Sequence, residues 1–330
     1  MYFNIELPKK INKINYFKKN DVGCTLYSYS DEVGNSPYII MDLPGFEIEK
    51  DFCINDSTLL AISKLQPDVE LKFNEKGFIA KSKKGKYTAK YIQSNLINVN
   101  MNYENEIKVD LSILNKAVAF VSNNDKKPIL TGVNINGGVI TATDSFKVYR
   151  NVANIENNNA TNEITIESDL IRMVSSIFSN NIVDTYYNKN TICFKEDNIR
   201  VVGRLLEGNY PSLDTIVAQF SDEKHELNRN DILETIEFTK IAGASLKETA
   251  YISFENNKII GLGADTFEKE IEYNGVDIVL EIGNLETALK SFKSDTIYFT
   301  CKKSGRGSIV CIRGNEAEEK IILLGIVKEQ

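Results

Sequence analysis

No stretch of this 330-residue chain approaches the run of ~20 apolar residues that a membrane span requires. Nor does it open with a basic segment followed by an apolar one and a small-residue cleavage site. Both absences lead us to expect a cytoplasmic protein with no membrane partner. Cysteine is scarce and scattered: Cys24, Cys53, Cys193, Cys301 and Cys311 are odd in number and include no close pair of the kind that builds a zinc site or a redox dithiol. They read as buried apolar residues of a reducing compartment. Histidine occurs once, as His225 in the charged run SDEKHELNRN, where a solvated linker is expected rather than a catalytic base. A Gly-rich phosphate loop of the Walker type, Gly-x-Ser-x-Gly and the His-based metal motifs are all missing. The carboxylates form no recognisable catalytic pairing, Asp144 reads as a turn former, and the SGRG run at Ser304 to Gly307 reads as a hairpin turn. We therefore expect no catalytic residue, no bound metal and no cofactor. Positive charge is not in excess either, since 39 Lys and Arg against 46 Asp and Glu leave a net charge of −7. Taken alone, that counts against a nucleic-acid partner.

What is present is ordinary globular material, 42% hydrophobic and 26% charged, in a length that is more than one core normally fills. One order of elements recurs three times: a strand, an amphipathic stretch, several strands, a second amphipathic stretch, then more strands. The first stretches begin near Pro8, Leu111 and Asp231, and the second near Asp56, Ser168 and Asn284, each set spaced by roughly a third of the chain. Leu111, Leu114, Val118 and Val121 share one helical face behind the capping residue Asp110. Leu170, Ile171, Val174 and Phe178 form a second such face, and Leu285, Ala288, Leu289 and Phe292 a third. The N-terminal candidate, Pro8 to Asn20, is less regular, because as a helix it would bring Phe17 close to the angle of Lys10 and Lys13. Alternating segments such as ELKFNEKGFIAKS, NTICFKEDNIRVVGRL, AYISFENNKIIGLG and TIYFTCKKSGRGSIVCIRG predict antiparallel hairpins. Together these predict an α+β chain of three similar domains, each with two helices on antiparallel sheet. Polar boundaries near Asn102 to Glu106 and Ser221 to Asn228 divide it into residues 1–105, 106–224 and 225–330.

Two segments carry a family resemblance: Arg204 to Val217, read RLLEGNYPSLDTIV, and Ala142 to Val148, read ATDSFKV. Together they resemble signature segments of the bacterial replicative sliding clamp, the beta subunit of DNA polymerase III. The likeness is strongest from about Val109 to Pro211, fair through the last third and thin before Phe52, where the first domain is shorter than the family's. It implies a non-catalytic processivity factor: two chains head to tail in a ring around double-stranded DNA, without sequence preference, helices inside and sheets outside. Positive charge is then needed only on the inner wall, and an acidic exterior would keep DNA from binding elsewhere. A DNA polymerase, a clamp loader and other clamp-binding peptides would be its partners.

The same resemblance implies a hydrophobic peptide cleft at Leu130, Thr143, Ser145, Phe146, Lys147, Val148, Pro211, Thr215, Ile216, Ile322, Leu324, Gly325 and Ile326. Read by periodicity alone, Ile216, Ile322 and Leu324 are equally core strand residues. Phe146 stands where the family usually has histidine, Lys147 where it has arginine, and Gly325 and Val327 where it has proline and arginine, which implies an altered partner preference. Inner-wall candidates are Lys9, Lys10, Lys13, Lys64, Lys116, Lys126, Lys127, Arg172, Lys240, Lys290 and Lys293, with Asn124 on the loop before Pro128. Glu234 and Glu237 weaken that charge locally. At the joint between chains the match falls on Tyr87 and Ala89 on one side and near Ile241 and Ala242 on the other. A second reading keeps the cleft but not the closed ring, leaving an interaction protein built of clamp-like domains.

Overall fold

A computed structural model of the chain describes residues 2–3, 12–30, 37–96, 101–124, 126–153, 163–220, 224–242, 250–263, 265–304, 307–315 and 319–325. Antiparallel sheet dominates them, with six α-helices: α1 (Asp56–Lys64), α2 (Leu111–Val118), α3 (Ser168–Ile177), α4 (Asp214–Val217), α5 (Arg229–Ala242) and α6 (Ile282–Ser291). Their starts are fixed locally. The Asn55 side chain accepts the Thr58 N–H at 2.8 Å ahead of α1, and Asp110 accepts the Ser112 N–H at 2.8 Å ahead of α2. The apolar faces predicted for α2, α3 and α6 are buried from end to end. No helix among the described residues is long and apolar enough to cross a membrane.

The predicted hairpins are present. Asn256 and Asn257, at φ of 51° and 59°, join Tyr251–Glu255 to Lys258–Leu262 in the left-handed pair of conformations that a two-residue turn needs and asparagine tolerates. Val69–Phe73 pairs with Gly77–Ser82, Thr191–Glu196 with Ile199–Arg204, and Thr296–Ser304 with Gly307–Arg313.

Two compact units result. The described residues of Met1–Ser112 and Ile166–Glu207 form one, and those of Ile113–Asn154, Glu163–Thr165 and Gly208–Gln330 form the other. The first is built on an eight-stranded sheet in the order Phe52–Asn55, Ile14–Asn20, Gly23–Tyr29, Tyr38–Pro44, Ile199–Arg204, Thr191–Glu196, Ile182–Tyr187, Asn105–Asp110. Its middle joins strands remote in sequence, with Val202 opposite Tyr38 and Ile199 opposite Met41. Helix α3 lies so close to this sheet that a Cβ at Gly203 would meet Leu170 Cδ2 at 2.5 Å. A four-stranded sheet, Tyr2–Phe3, Val69–Phe73, Gly77–Ser82 and Gly85–Lys90, completes the unit. Phe17, Phe52 and Phe78 centre its core together with Leu59 and Ile62 of α1.

The sequence expectation fails at the N-terminal stretch. Residues 14–20 of the predicted Pro8 to Asn20 helix are a strand, so α1 is the first third's one helix among the described residues. The physical reason is the one that made its helical pattern irregular. On a strand Phe17 turns inward to stack on Phe52, with centroids 4.6 Å apart, while Lys18 points to solvent.

The second unit repeats the plan with an eight-stranded sheet in the order Ile164–Glu167, Gly132–Asn136, Val139–Thr143, Lys147–Val152, Glu319–Gly325, Gly307–Arg313, Thr296–Ser304, His225–Asn228. Here too the central pairing is long-range, Lys147 opposite Leu323 and Val148 opposite Ile322. His225 is therefore no linker residue but the first of a strand, its ring 5.5 Å from that of Tyr273. A second four-stranded sheet runs Thr266–Glu270, Lys258–Leu262, Tyr251–Glu255, Ile278–Glu281. Cys24, Cys53, Cys193 and Cys311 are buried and Cys301 is half-buried. Burial pushes the Cys24 thiol up to about 12 and Cys193 to about 11, which keeps both protonated and unreactive.

Candidate functional site

The Thr143 to Lys147 turn lies in the second unit, between strands Val139–Thr143 and Lys147–Val152, and its own polar groups set its shape. Asp144 accepts the N–H groups of Phe146 at 2.8 Å and Lys147 at 2.9 Å, and the Lys147 ammonium donates to its second oxygen at 2.7 Å. Thr143 Oγ1 accepts the Ser145 N–H at 3.1 Å and donates to the Lys147 carbonyl at 2.8 Å. Ser145 is held at φ +86°, a conformation that side chains other than glycine rarely adopt. The outcome is a Phe146 ring left 64% exposed at the lip of a cavity. Leu324 N–H donates to the Phe146 carbonyl at 3.0 Å and fixes the strand Glu319–Gly325 beside it.

From the other side, the chain break at Gly208 to Pro211 delivers Tyr210 into the interior, where its hydroxyl accepts the Thr143 N–H at 3.0 Å. Burial above all, opposed by that bond, raises the Tyr210 hydroxyl pKa and keeps the group neutral. Beyond Pro211, Leu213, Ile216, Val217 and Phe220 pack against the buried Val148, Cys311 and Ile322. The Arg150 guanidinium holds α4 in place through Asp214 at 3.0 Å. A cavity of about 510 Å³ remains, lined by Lys127, Ile129, Leu130, Thr143, Ser145, Phe146, Val148, Pro211, Leu213, Ile216, Ile322 and Leu324. Its lining is mostly apolar, with Lys127, Thr143 and Ser145 the polar members, which suits an extended peptide with apolar anchors.

Nine of the predicted cleft residues line it: Leu130, Thr143, Ser145, Phe146, Val148, Pro211, Ile216, Ile322 and Leu324. Lys147 does not, because its charge is held by Asp144 and by Asn284 Oδ1 at 3.3 Å. Thr215 is exposed on α4 outside the lining. Gly325 adjoins the lining, and its lack of a side chain has a local cause: a Cβ there would sit 2.8 Å from Ile278 Cγ1. Ile326 lies outside the described residues. Sequence reasoning missed Ile129 and Leu213 and gave Lys127 to a different surface. The apolar pair Ile129-Leu130 after Pro128 and the leucine two positions past Pro211 were the available signals.

Residues 106–212 match the family model described as the DNA polymerase III beta subunit, central domain. A curated relative, the beta sliding clamp of Streptococcus pneumoniae serotype 4, is 30% identical over 195 residues, covering 54% of this chain and 50% of the relative. That of Staphylococcus aureus strain N315 is 21% identical over 240 residues, covering 67% and 64%. Among solved structures, the Bacillus subtilis DNA polymerase sliding clamp superposes with a TM-score of 0.78 at 20% identity, covering 96% of this chain and 91% of that one. The Streptococcus pyogenes beta subunit gives 0.79 at 20%, covering 96% and 92%. This chain is similar to the bacterial sliding clamps and has their fold. In sequence it spans between about half and two thirds of the length of these curated clamps.

The charges that the resemblance assigns to an inner wall divide into free and engaged. Lys9 and Lys10 lie outside the described residues. Lys13 is exposed just ahead of the strand Ile14–Asn20 rather than on a helix, and Lys64 is exposed in the last turn of α1. Lys126, Lys127 and Lys293 are exposed with no ion pair among the described residues, and Asn124 accepts the Lys126 N–H at 3.0 Å. Arg172 reaches back to Asp169 at 2.8 Å. On α5 and α6, Lys240 and Lys290 share Glu286, the latter at 2.9 Å, and Lys269 pairs with Asp231 at 2.9 Å and Glu234 at 2.6 Å.

Lys116 faces inward, 3.1 Å from Glu319, whose side chain is only 3% exposed. Replacing Lys116 with methionine strands that carboxylate. We expect a loss of about 2–3 kcal/mol, below the ~3–5 kcal/mol of a fully enclosed pair because the lysine keeps some solvent. Thermal unfolding checks this, and adding Glu319→Leu should recover most of the loss.

Glu286 is the opposite case, a carboxylate held below its usual range by hydrogen bonds from Lys240 first and Lys290 second. A lowered folded pKa stabilises the folded chain above the ordinary carboxylate value, and that contribution disappears as pH falls through the lowered one. The difference in unfolding midpoint between the native chain and Glu286→Gln should thus be present at pH 7 and shrink away toward pH 3.

The two four-stranded sheets each end on a strand with no further strand beyond it among the described residues. Gly85–Lys90 presents Lys86 and Lys90 to solvent while Tyr87 and Ala89 turn toward the core of their own unit. Lys86 lies directly across from Lys81, a like-charged pair. Thr266–Glu270 presents Glu268 and Glu270, with Lys258 2.8 Å from Glu268. Beside that strand Phe267 stacks on the 46% exposed Phe238 of α5 at 4.7 Å, and Ile241 is 66% exposed in the helix's last turn, just before Ala242. Phe238 and Phe267 went unnoticed in the sequence because both fall on positions that read equally well as core.

Proposed function

We propose that this chain is a DNA sliding clamp, a processivity factor whose two copies close head to tail around duplex DNA and tether a replicative polymerase. The observation that carries the reading is the apolar cleft built by the Thr143 to Lys147 turn, α4 and the strand Glu319–Gly325, in a chain with the clamp fold. Partner peptides from polymerase, clamp loader and other clamp-binding proteins would dock there through apolar anchors. The free lysines on helices and loops would meet phosphates without reading bases, so that the ring slides. Tethering raises the polymerase's local concentration at the primer end, and no bond is made or broken by the ring itself. The joint would form where the edge Gly85–Lys90 of one copy meets α5 and the edge Thr266–Glu270 of the other.

The test is loading by a bacterial clamp loader onto nicked circular DNA, followed by cutting. Release from the ends on linearisation is the expected result. Retention on linear DNA overturns encirclement, and a monomer in solution at micromolar concentration favours the reading in which only the cleft acts. Freeing Lys240 and Lys290 by Glu286→Gln should raise the salt slope of DNA binding by about 1, measured by titrating salt against retention on the circular form.

A further inference from the structure

A second cavity, of about 280 Å³, opens in the first unit and has no part in the cleft. Its walls come from the segment after strand Tyr38–Pro44 (Ile48, Glu49, Lys50), from Phe73 and Glu75 at the end of Val69–Phe73, and from Tyr91. The two rings are rigidly backed. Phe52 lies 5.4 Å from Phe73 and 5.7 Å from Tyr91, and Phe78 lies 5.6 Å and 6.2 Å from the same pair. Over the Tyr91 face, 5.6 Å from its centroid, stands the ammonium of Lys50. That is near the outer limit of a useful cation–π contact, so the chain's own cation fills the place loosely. Around it the chemistry is that of a cation receptor with its acceptors unused. Glu49 and Glu75 are exposed and have no ion pair among the described residues. The Tyr91 hydroxyl oxygen is buried without a hydrogen-bond partner. Asn74, also in the wall, is occupied by the turn, accepting the Lys76 and Gly77 N–H groups.

The geometry points to a receptor for an arginine side chain presented by a partner protein, with the guanidinium stacked on Tyr91 and Phe73 and forked onto Glu49 and Glu75. Arginine fits better than lysine. A planar guanidinium covers a ring face and still directs N–H groups sideways to carboxylates, whereas a strongly hydrated ammonium does one or the other. Lys50 marks the position and would be displaced to solvent along its flexible stem. The site stands apart from the ring reading and would exist in a monomer as well.

Calorimetric titration of the full chain with acetyl-Gly-Arg-Gly-amide, against the same peptide carrying citrulline, tests it. Citrulline keeps the shape and removes the charge. Binding of the arginine peptide only is expected, about fivefold tighter in Lys50→Met, and at least tenfold weaker in the Glu49→Gln, Glu75→Gln double variant. All three replaced side chains are exposed, so each variant should keep the native unfolding midpoint. Glu268→Gln serves as a control for attraction to an acidic surface in general. Equal binding of the citrulline peptide overturns the assignment, as does no binding to either the native chain or Lys50→Met. A double variant that behaves like Glu268→Gln overturns it too.

Discussion

Leu324→Asp is expected to remove partner-peptide binding while leaving the fold intact. The side chain is 44% exposed at the end of the strand Glu319–Gly325, so a carboxylate there stays solvated in the free protein and breaks no core contact. Once a peptide covers the cavity, the same carboxylate loses its water among Phe146, Ile322 and the other apolar lining residues, and of the two nearby lysines Lys147 is already taken by Asp144, leaving only Lys127 in the lining to meet it. Central apolar anchors of such interfaces typically contribute 2–4 kcal/mol, which places the loss of affinity at roughly 30- to 1,000-fold. Fluorescence polarisation with a labelled polymerase tail peptide measures it. Unchanged affinity would remove the cavity from the functional account. Phe146→His should act more gently, because it keeps an aromatic lip and trades apolar area for a polar edge.

Reversing the charge on one of the two edge strands should split the proposed head-to-tail dimer, and reversing both should restore it. In a head-to-tail pair, Lys86→Glu with Lys90→Glu sets glutamates against Glu268 and Glu270 at both joints, and Glu268→Lys with Glu270→Lys sets lysines against lysines. Each variant alone should be monomeric. Mixed, the two chains present opposite charges at each joint and should form a one-to-one dimer. Exposed cross-strand pairs swing by ~1 kcal/mol each. Two pairs in each of two joints amount to about 4 kcal/mol, or on the order of a thousandfold in the dimer dissociation constant. Analytical ultracentrifugation of the variants singly and mixed decides the matter, and rising salt should weaken the mixed dimer. Dimers from either variant alone would relocate the joint.

The sequence displayed the cleft better than the charges, for physical reasons. Pro211, Thr143 and Asp144 act through local turn chemistry, which neighbouring residues determine, so the lip of the cavity could be read from ATDSFKV and GNYPS. Whether Lys116 or Lys147 is free to meet a ligand depends instead on Glu319 and Asn284, more than a hundred positions away, and no local pattern reveals that. Helices α2, α3 and α6 were legible because a single apolar face is buried in each. The strand Ile14–Asn20 was not, since both its faces meet other residues and its alternation is blurred, Phe17 entering one cluster and Tyr16 another. The three-part division by sequence order and the two compact units differ for a related reason, for strands pair by edge and register whether or not they are neighbours along the chain.

That pairing has a consequence for any attempt to shuffle or excise parts of this polypeptide. The tract from 106 to 224 contributes Ile199–Arg204 to one long sheet and Lys147–Val152 to the other, each hydrogen-bonded to a strand from elsewhere in the chain. Cut free, it would carry two raw seams, rows of bare amides and carbonyls ready to zip onto any stranger. Such a tile is useful only inside the mosaic, so recombination that trades it alone would produce precipitate before it produced novelty.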